Sequence, residues 1–160
     1  MRIEKQFFYS VIFLTYFLSF AQNPGTTDFI DLKDWKTVKA ENQRHWSIND
    51  DVVTGGDGVE NIPRNTYLYS DKSYENFEFR CLFRITGDHG KGLINSGMQY
   101  RSIIKDNKNI GYQADIGKGY WGDIYDEHRR GKLVGGDLGT LKYILNEDGW
   151  NSYIVRCIGN

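Results

Sequence analysis

The sequence predicts an all-β protein, a sandwich or a barrel built from many short strands. Aromatic residues make up 15% of the chain, and 18 residues are glycine. Aromatic side chains suit the half-buried surface of a sheet, whereas glycine suits turns. Turn signals recur about every 8–15 residues, which is typical of sandwiches and barrels.

Length and charge limit the possible functions. The chain has 160 residues, enough for one domain of ordinary size. Hydrophobic residues make up 39% and charged residues 26%, a globular composition. A net charge of −1 produces no field that would attract nucleic acid or an anionic membrane. A neutral partner, such as a sugar, fits this balance better.

The start of the chain has the pattern of a secretory signal peptide. Arg2 and Lys5 precede an uncharged run over residues 7–20, and small residues two apart end it at Ala21. The run is shorter than the roughly 20 residues of a membrane-spanning helix, so a retained anchor is the less favoured alternative. We predict cleavage after Ala21, export to the periplasm or the extracellular space, and one domain over residues 22–160 with no membrane span.

The strands follow from apolar runs between turn residues. They are predicted at residues 29–32, 46–54, 66–69, 77–85, 94–102, 110–116, 120–125 and 150–158. The clearest is 77–85, whose odd positions are all apolar while Glu78, Arg80 and Arg84 point to the other face. Residues 138–145 predict a short helix.

The two cysteines lie in two of these strands. Cys81 and Cys157 are in phase with apolar neighbours, so both are predicted to face the core. Export would permit a disulfide. Free buried thiols are the favoured interpretation, because a bridge requires an adjacency that the sequence does not establish.

Two neighbouring strands each present a polar face. Alternation places on these faces Asn95, Gly97, Gln99 and Arg101 from one strand, and Gln113 and Asp115 from the other. Gly97 would leave room for a ligand. Amides and carboxylates bind sugar hydroxyls, and Trp121 or Tyr120 would supply an aromatic platform. The pattern therefore predicts a concave surface that binds a carbohydrate.

A dense run of ionisable groups, Tyr125 to Arg130, follows a predicted strand. Taken alone, it indicates a solvated loop with surface ion pairs. The chain has no histidine spacing typical of zinc. Calcium or another hard divalent cation could be bound by four carboxylates, those of Asp115, Asp123, Asp126 and Glu127. The sequence does not decide whether the protein binds a metal.

Several short motifs follow one another in a defined order. They lie at residues 31–35, 46–48, 74–80, 95–102, 111–117, 121–127 and 150–153. Together they resemble the 3-keto-disaccharide hydrolase family, also described as 3-keto-glucoside lyase or hydratase. Each motif alone is weak, but the ordered set covers nearly the whole chain after the signal peptide.

The resemblance implies a two-sheet jelly-roll sandwich of the concanavalin A-like type. In the family, the strand that matches residues 150–158 is followed by further strands. We therefore expect this chain to lack its closing C-terminal strands.

The resemblance also implies a reaction on 3-keto-glycosides. A base removes the C2 proton, the C1 substituent is eliminated, and water adds back, which requires a base, an oxyanion stabiliser and an acid. The implied catalytic candidates are Asp115 or Glu127 as base, Arg101 as stabiliser, and Tyr125 or His128 as acid. The implied substrate-binding residues are Asn95, Gln99, Gln113 and Trp121, with Gln99 also able to assist Arg101.

Other functions stay open at this point. Asp115 and Glu127 would also suit a direct hydrolase with two carboxylates, if their separation allows it. The same kind of sandwich can bind carbohydrate without catalysis, or act as a structural or adhesive domain. The ionisable cluster favours the enzyme, because a binding module needs amides and aromatics more than it needs bases.

Overall fold

A computed structural model describes residues 32–33 and 35–159. The predicted signal peptide at 1–21 lies outside the described residues, as does the predicted strand at 29–32 apart from Leu32.

The described chain forms ten strands and two short helices. The strands are β1 (Lys36–Thr37), β2 (Trp46–Asn49), β3 (Val52–Gly55), β4 (Leu68–Tyr69), β5 (Phe77–Phe83), β6 (Asn95–Lys105), β7 (Lys108–Gly117), β8 (Ile124–Glu127), β9 (Gly131–Val134) and β10 (Asn151–Cys157). A 3₁₀ helix spans Ala40–His45, and α1 spans Leu138–Leu141. Within the part of the chain that the structure describes, neither helix is long or apolar enough to cross a membrane.

The main sheet is antiparallel, in the order β6-β7-β8-β9. The β6–β7 hairpin closes through Asp106 and Asn107, with φ of 50° and 58°. Two successive positive φ angles are those of a type I′ turn, whose twist matches that of the strands. Smaller pairs are formed by β5 with β10, β1 with β4, and β2 with β3.

The core lies between the main sheet and the β5–β10 pair. Ala114, Val155 and Cys157 are buried at its centre. The side chains packed around them are Phe77, Phe79, Met98, Tyr100, Ile124 and Tyr153. The all-β prediction is confirmed. Because Ala114 faces the core, its neighbours Gln113 and Asp115 face the opposite side of the sheet.

The long strands β5, β6, β7 and β10 agree with their predictions, but three others differ. Residues 46–54, predicted as one strand, form the β2–β3 hairpin, because Asp50 turns the chain with a φ of 50°. Residues 120–123 belong to a loop, and β8 begins at Ile124. Two strands were not predicted, β1 and β9, the latter of which returns from the turn after β8.

The two cysteines are expected to remain free thiols. Cys81 pairs with Tyr153 and Cys157 with Phe77, so the cysteines stand four positions apart on adjacent strands. That offset is about 13 Å, well beyond the roughly 7 Å limit between the Cα atoms of a disulfide. Burial also raises the pKa of both thiols.

Alkylation of the unreduced, denatured protein should therefore label both cysteines, as it does after reduction. The midpoint of thermal unfolding should not respond to reductant. An unreduced monomer that takes up no alkylating agent would contradict this prediction.

Candidate functional site on the polar face of the main sheet

The side of the main sheet that faces away from the core forms a polar face. Strand pairing sets Gln99, Gln113, Tyr125 and Lys132 side by side, one from each of the four strands. Residues directly opposite in antiparallel strands point to the same side. Because side chains two positions apart in a strand point to the same side, Asp115 of β7 and Glu127 of β8 lie on this side as well. We call these six residues the polar face.

Asp115 is the most enclosed group on this face, with 3% of its surface exposed. Gln113 Nε2 donates to Asp115 Oδ1 at 2.5 Å. Burial raises the pKa of Asp115, and the charges of Glu127 and Asp123 add to the rise, while the Gln113 hydrogen bond and Lys132 oppose it. A carboxylate with a raised pKa is a stronger base than an ordinary aspartate.

Gly97 has a different role from the one expected. The space above it does not form a ligand gap, because the Gln113 side chain fills it. A Cβ on Gly97 would lie 2.8 Å from Gln113 Cγ and 2.8 Å from the Ala114 carbonyl oxygen. Because Gly97 has no side chain, the Gln113 side chain can lie across it and donate its hydrogen bond to Asp115.

We expect Gly97→Ala to displace Gln113 from Asp115. Such overpacking costs roughly 1–3 kcal/mol of stability. Loss of the hydrogen bond should raise the pKa of Asp115 further, which a ¹³C NMR titration of its carboxyl group would detect. Gly92→Ala is the matched control, since a Cβ there lies no closer than 3.4 Å to any neighbour. An unchanged Asp115 titration in the Gly97 variant would contradict the prediction.

Asp123 and Lys132 add an ion pair beside Asp115. Asp115 N–H donates to the Asp123 carbonyl at 2.9 Å, which continues the β7–β8 pairing. Lys132 Nζ forms an ion pair with Asp123 Oδ2 at 2.5 Å, and Asp123 Oδ1 accepts from the Gly136 N–H at 2.9 Å. Lys132 Nζ also lies 5.8 Å from the centre of the Tyr120 ring. Tyr120, the alternative aromatic named from the sequence, is thus near the polar face.

Tyr67, which precedes β4, lies near the same carboxylates. Burial raises the pKa of its phenol, and the charges of Glu127 and Asp115 raise it further. Asn65 Nδ2 donates to the hydroxyl at 3.5 Å. A phenol is protonated at neutral pH even at its ordinary pKa, so Tyr67 can donate its proton to a ligand oxygen, although the raised pKa makes it a weaker acid.

Gln99 offers an unused acceptor. Its Nε2 donates to the Asn109 carbonyl at 2.9 Å. Its Oε1 is buried and accepts no hydrogen bond from the described residues. A buried acceptor without a partner is costly, and burial closes this oxygen to a ligand where the side chain now stands.

The ionisable run 125–130 divides between the two sides of the sheet. Tyr125 and Glu127 belong to the polar face, while Asp126 points to the other side and is fully buried. Arg129 Nε and Arg130 Nε each donate to Asp126 at 2.6 Å. Both guanidinium groups also lie over the Tyr112 ring, at 5.1 and 5.6 Å. The Asp126 cluster is therefore part of the structure rather than of the site.

Arg101 does not share the face of Gln99, so its predicted position is wrong. A β-bulge places one extra residue in β6 between Tyr100 and Ile103, and Arg101 adopts a φ of 49° there. The bulge breaks the alternation. The guanidinium instead donates to the Gly159 carbonyl, which follows β10 in the opposite pair of strands.

Three other candidate site residues do not belong to the polar face. Trp121 is 8% exposed and packs against Phe83 at 6.2 Å, so it does not form an open platform. His128 is exposed in the β8–β9 turn, with a φ of 60°. Asn95 is exposed at the start of β6, opposite Gly117. The roles assigned to these residues stay untested.

The described residues contain no group of three or more His, Cys, Asp or Glu side chains arranged to hold a metal. Asp126 and Asp123, two of the four candidate cation ligands, are instead engaged by Arg129, Arg130 and Lys132.

Sequence reasoning missed Lys132, Asp123 as a partner of Lys132, and Tyr67. The pattern Arg130-Gly131-Lys132, with a glycine at a φ of 78°, is a turn signal that could have revealed β9 and its pairing. Tyr67 comes from a segment distant in sequence, and no local pattern links it to Asp115.

These features define an all-β protein with an amide- and carboxylate-lined face suited to a polar, uncharged ligand. A family model described as a 3-keto-alpha-glucoside-1,2-lyase-like domain matches residues 25–160. The chain belongs to this family, as its motifs indicated. No curated protein and no solved structure gives a significant match.

Proposed function

We propose that this protein is an exported enzyme that cleaves 3-keto-glycosides at its polar face, by elimination followed by hydration. The observation that carries the proposal is Asp115, a buried carboxylate with a raised pKa that Gln113 holds on a face of amides. Family membership supports a 3-keto-sugar substrate. Export is supported only by the pattern of residues 1–21.

We further propose that the strands form a concanavalin A-like jelly roll. The packing of the main sheet against the β5–β10 pair supports two layers with one core. The polar face would then lie on the side of one layer that is turned away from the core, with Lys132 exposed and Asp115 buried.

In the proposed reaction, Asp115 takes the C2 proton. The C2–H electron pair forms a C2–C3 double bond, and the carbonyl electrons move onto O3. When the C3 carbonyl re-forms, a C1–C2 double bond forms and the C1–O bond breaks. A phenol, Tyr67 or Tyr125, protonates the leaving oxygen. Water then adds across C1 and C2 to give the free 3-keto-sugar.

Strand register argues against a retaining direct hydrolysis that uses Asp115 and Glu127 as its carboxylate pair. Asp115 lies opposite Asp123, whereas Glu127 pairs with Gly111, four positions along β7. The two backbone positions are thus offset by about 13 Å. Side chains that stand perpendicular to the sheet do not reduce this offset to the roughly 5 Å of a retaining carboxylate pair.

A carbohydrate-binding module without catalysis is the second candidate. The paired amides of Gln99 and Gln113 and the nearby Tyr120 ring favour it, because amides and aromatics are sufficient to bind a sugar.

One assay separates the two functions. The protein is incubated in D₂O with an aryl 3-keto-glucoside, and aglycone release and deuterium at C2 are measured. We expect release from the keto-sugar with deuterium incorporated, and none from the unoxidised glucoside. Release without deuterium would indicate direct hydrolysis. Binding of the keto-sugar without release would favour the binding module.

A further inference from the structure

The polar face carries a cation with a fixed position. Lys132 Nζ forms an ion pair with Asp123 Oδ2 at 2.5 Å, yet 48% of the Lys132 side chain is exposed. Asp123 itself is held by the Gly136 N–H at 2.9 Å. An ammonium group has three protons that can be donated, and its ion pair with one carboxylate oxygen does not engage all of them. The exposed side of the group can therefore meet a ligand.

Lys132 also stands close to the proposed base. Lys132 of β9 pairs with Tyr125 of β8, which in turn pairs with Gln113 of β7. Asp123, its partner, lies opposite Asp115 across the β7–β8 pairing. The positive charge of Lys132 lowers the pKa of Asp115, whereas burial raises it. A substrate whose C2 proton reaches Asp115 would therefore have this ammonium group beside it.

We propose that Lys132 is a catalytic residue that stabilises the oxyanion on O3 during elimination, with Asp123 and Tyr120 as positioning residues. The role rests on the proposed function above. It replaces the role assigned to Arg101, whose guanidinium group is bound to the Gly159 carbonyl. When the carbonyl electrons move onto O3, the ammonium group offsets the new charge without having to move.

The bond to Asp123 supports this assignment. It raises the pKa of Lys132, so the amine keeps its proton throughout the working pH range. The Tyr120 ring, 5.8 Å from Nζ, adds a cation–π contact on another side. Both contacts restrict a long side chain that would otherwise sample many rotamers.

The test compares Lys132→Gln with the wild type on an aryl 3-keto-glucoside. We expect kcat to fall about 10²- to 10³-fold, as when one oxyanion donor is removed, with a much smaller change in KM. Deuterium exchange at C2 should fall in parallel, because enolate formation is the stabilised step. Lys142→Gln is the matched control, since Lys142 contacts Tyr143 just after α1. A kcat within about threefold of the wild type would overturn the proposal.

A second variant separates catalysis from folding. Lys132→Gln leaves Asp123 buried without its cation, so Lys132→Gln/Asp123→Asn removes both charges together. We expect this double variant to stay folded and to remain as slow as the single one. Recovery of wild-type kcat in the double variant would make Lys132 a structural residue and overturn its role. A wild type that never turns over the keto-sugar would instead overturn the proposed function, and with it this role.

Discussion

Asp115→Asn should abolish turnover of a 3-keto-glucoside while raising the thermal stability of the protein at neutral pH. Loss of the base should lower kcat by about 10²- to 10⁴-fold. Asparagine keeps the oxygen that accepts from Gln113 Nε2. It removes a charge from a position with 3% exposure, beside the carboxylates of Glu127 and Asp123.

The sign of the stability change follows from linkage. The pKa of Asp115 is higher in the folded protein than the ordinary value of 3.8. The protonated carboxyl therefore contributes its full stability below pH 3.8, and this contribution is lost as the pH rises through the folded pKa. At neutral pH the wild type carries the cost of a buried charge, and the asparagine variant does not.

Thermal unfolding measured from pH 3 to pH 8 would test this. The gap between variant and wild type should close at the acid end and widen to a few degrees at neutral pH. Asp51→Asn, at an exposed position in the β2–β3 turn, is the control and should show no such gap. An inactive variant that is also less stable at neutral pH would point to a structural role for Asp115.

Much of the fold could be predicted because its longer strands alternate regularly. In β7, Ala114 and Ile116 alternate with Gln113 and Asp115, so the part of the polar face that β7 supplies was predicted from alternation. The same rule failed for Arg101, because a bulge in β6 ends the alternation one residue after Tyr100. The bulge also depends on Gly111 of the partner strand, where a Cβ would lie 2.3 Å from Ser102 Oγ.

The rest of the site depends on contacts between distant segments. Trp121 looked like a sugar platform from its residue type, yet Phe83 of the opposite layer covers it. Lys132 reaches the site only because β9 folds back beside β8. Residue types and the alternation of polar and apolar positions predict a strand and its two faces. Which side chains remain accessible to a ligand depends on how the layers pack, and the sequence pattern does not contain this information.

Substitutions of two neighbouring carboxylates in β8, Asp126 and Glu127, should affect stability and activity differently. Asp126→Asn should lower the midpoint of thermal unfolding by roughly 10 °C, because Asp126 is fully buried and accepts from both Arg129 and Arg130. Turnover per folded molecule should change little, since Asp126 faces away from the polar face. Glu127→Gln, one residue along, should lower turnover per folded molecule more than Asp126→Asn does, because the charge of Glu127 helps to raise the pKa of Asp115, with little change in unfolding.

The pH dependence distinguishes the two positions further. Burial opposes the charge on Asp126, but the hydrogen bonds from Arg130 and Arg129 outweigh it, and its pKa is lowered. A lowered pKa gives stability that is present above the ordinary value of 3.8 and is lost as the pH falls through the folded pKa. Part of the acid destabilisation of the wild type should therefore disappear in Asp126→Asn. If Glu127→Gln unfolds like Asp126→Asn, or if both variants lose turnover equally when folded, then alternation along β8 does not separate the site from the core.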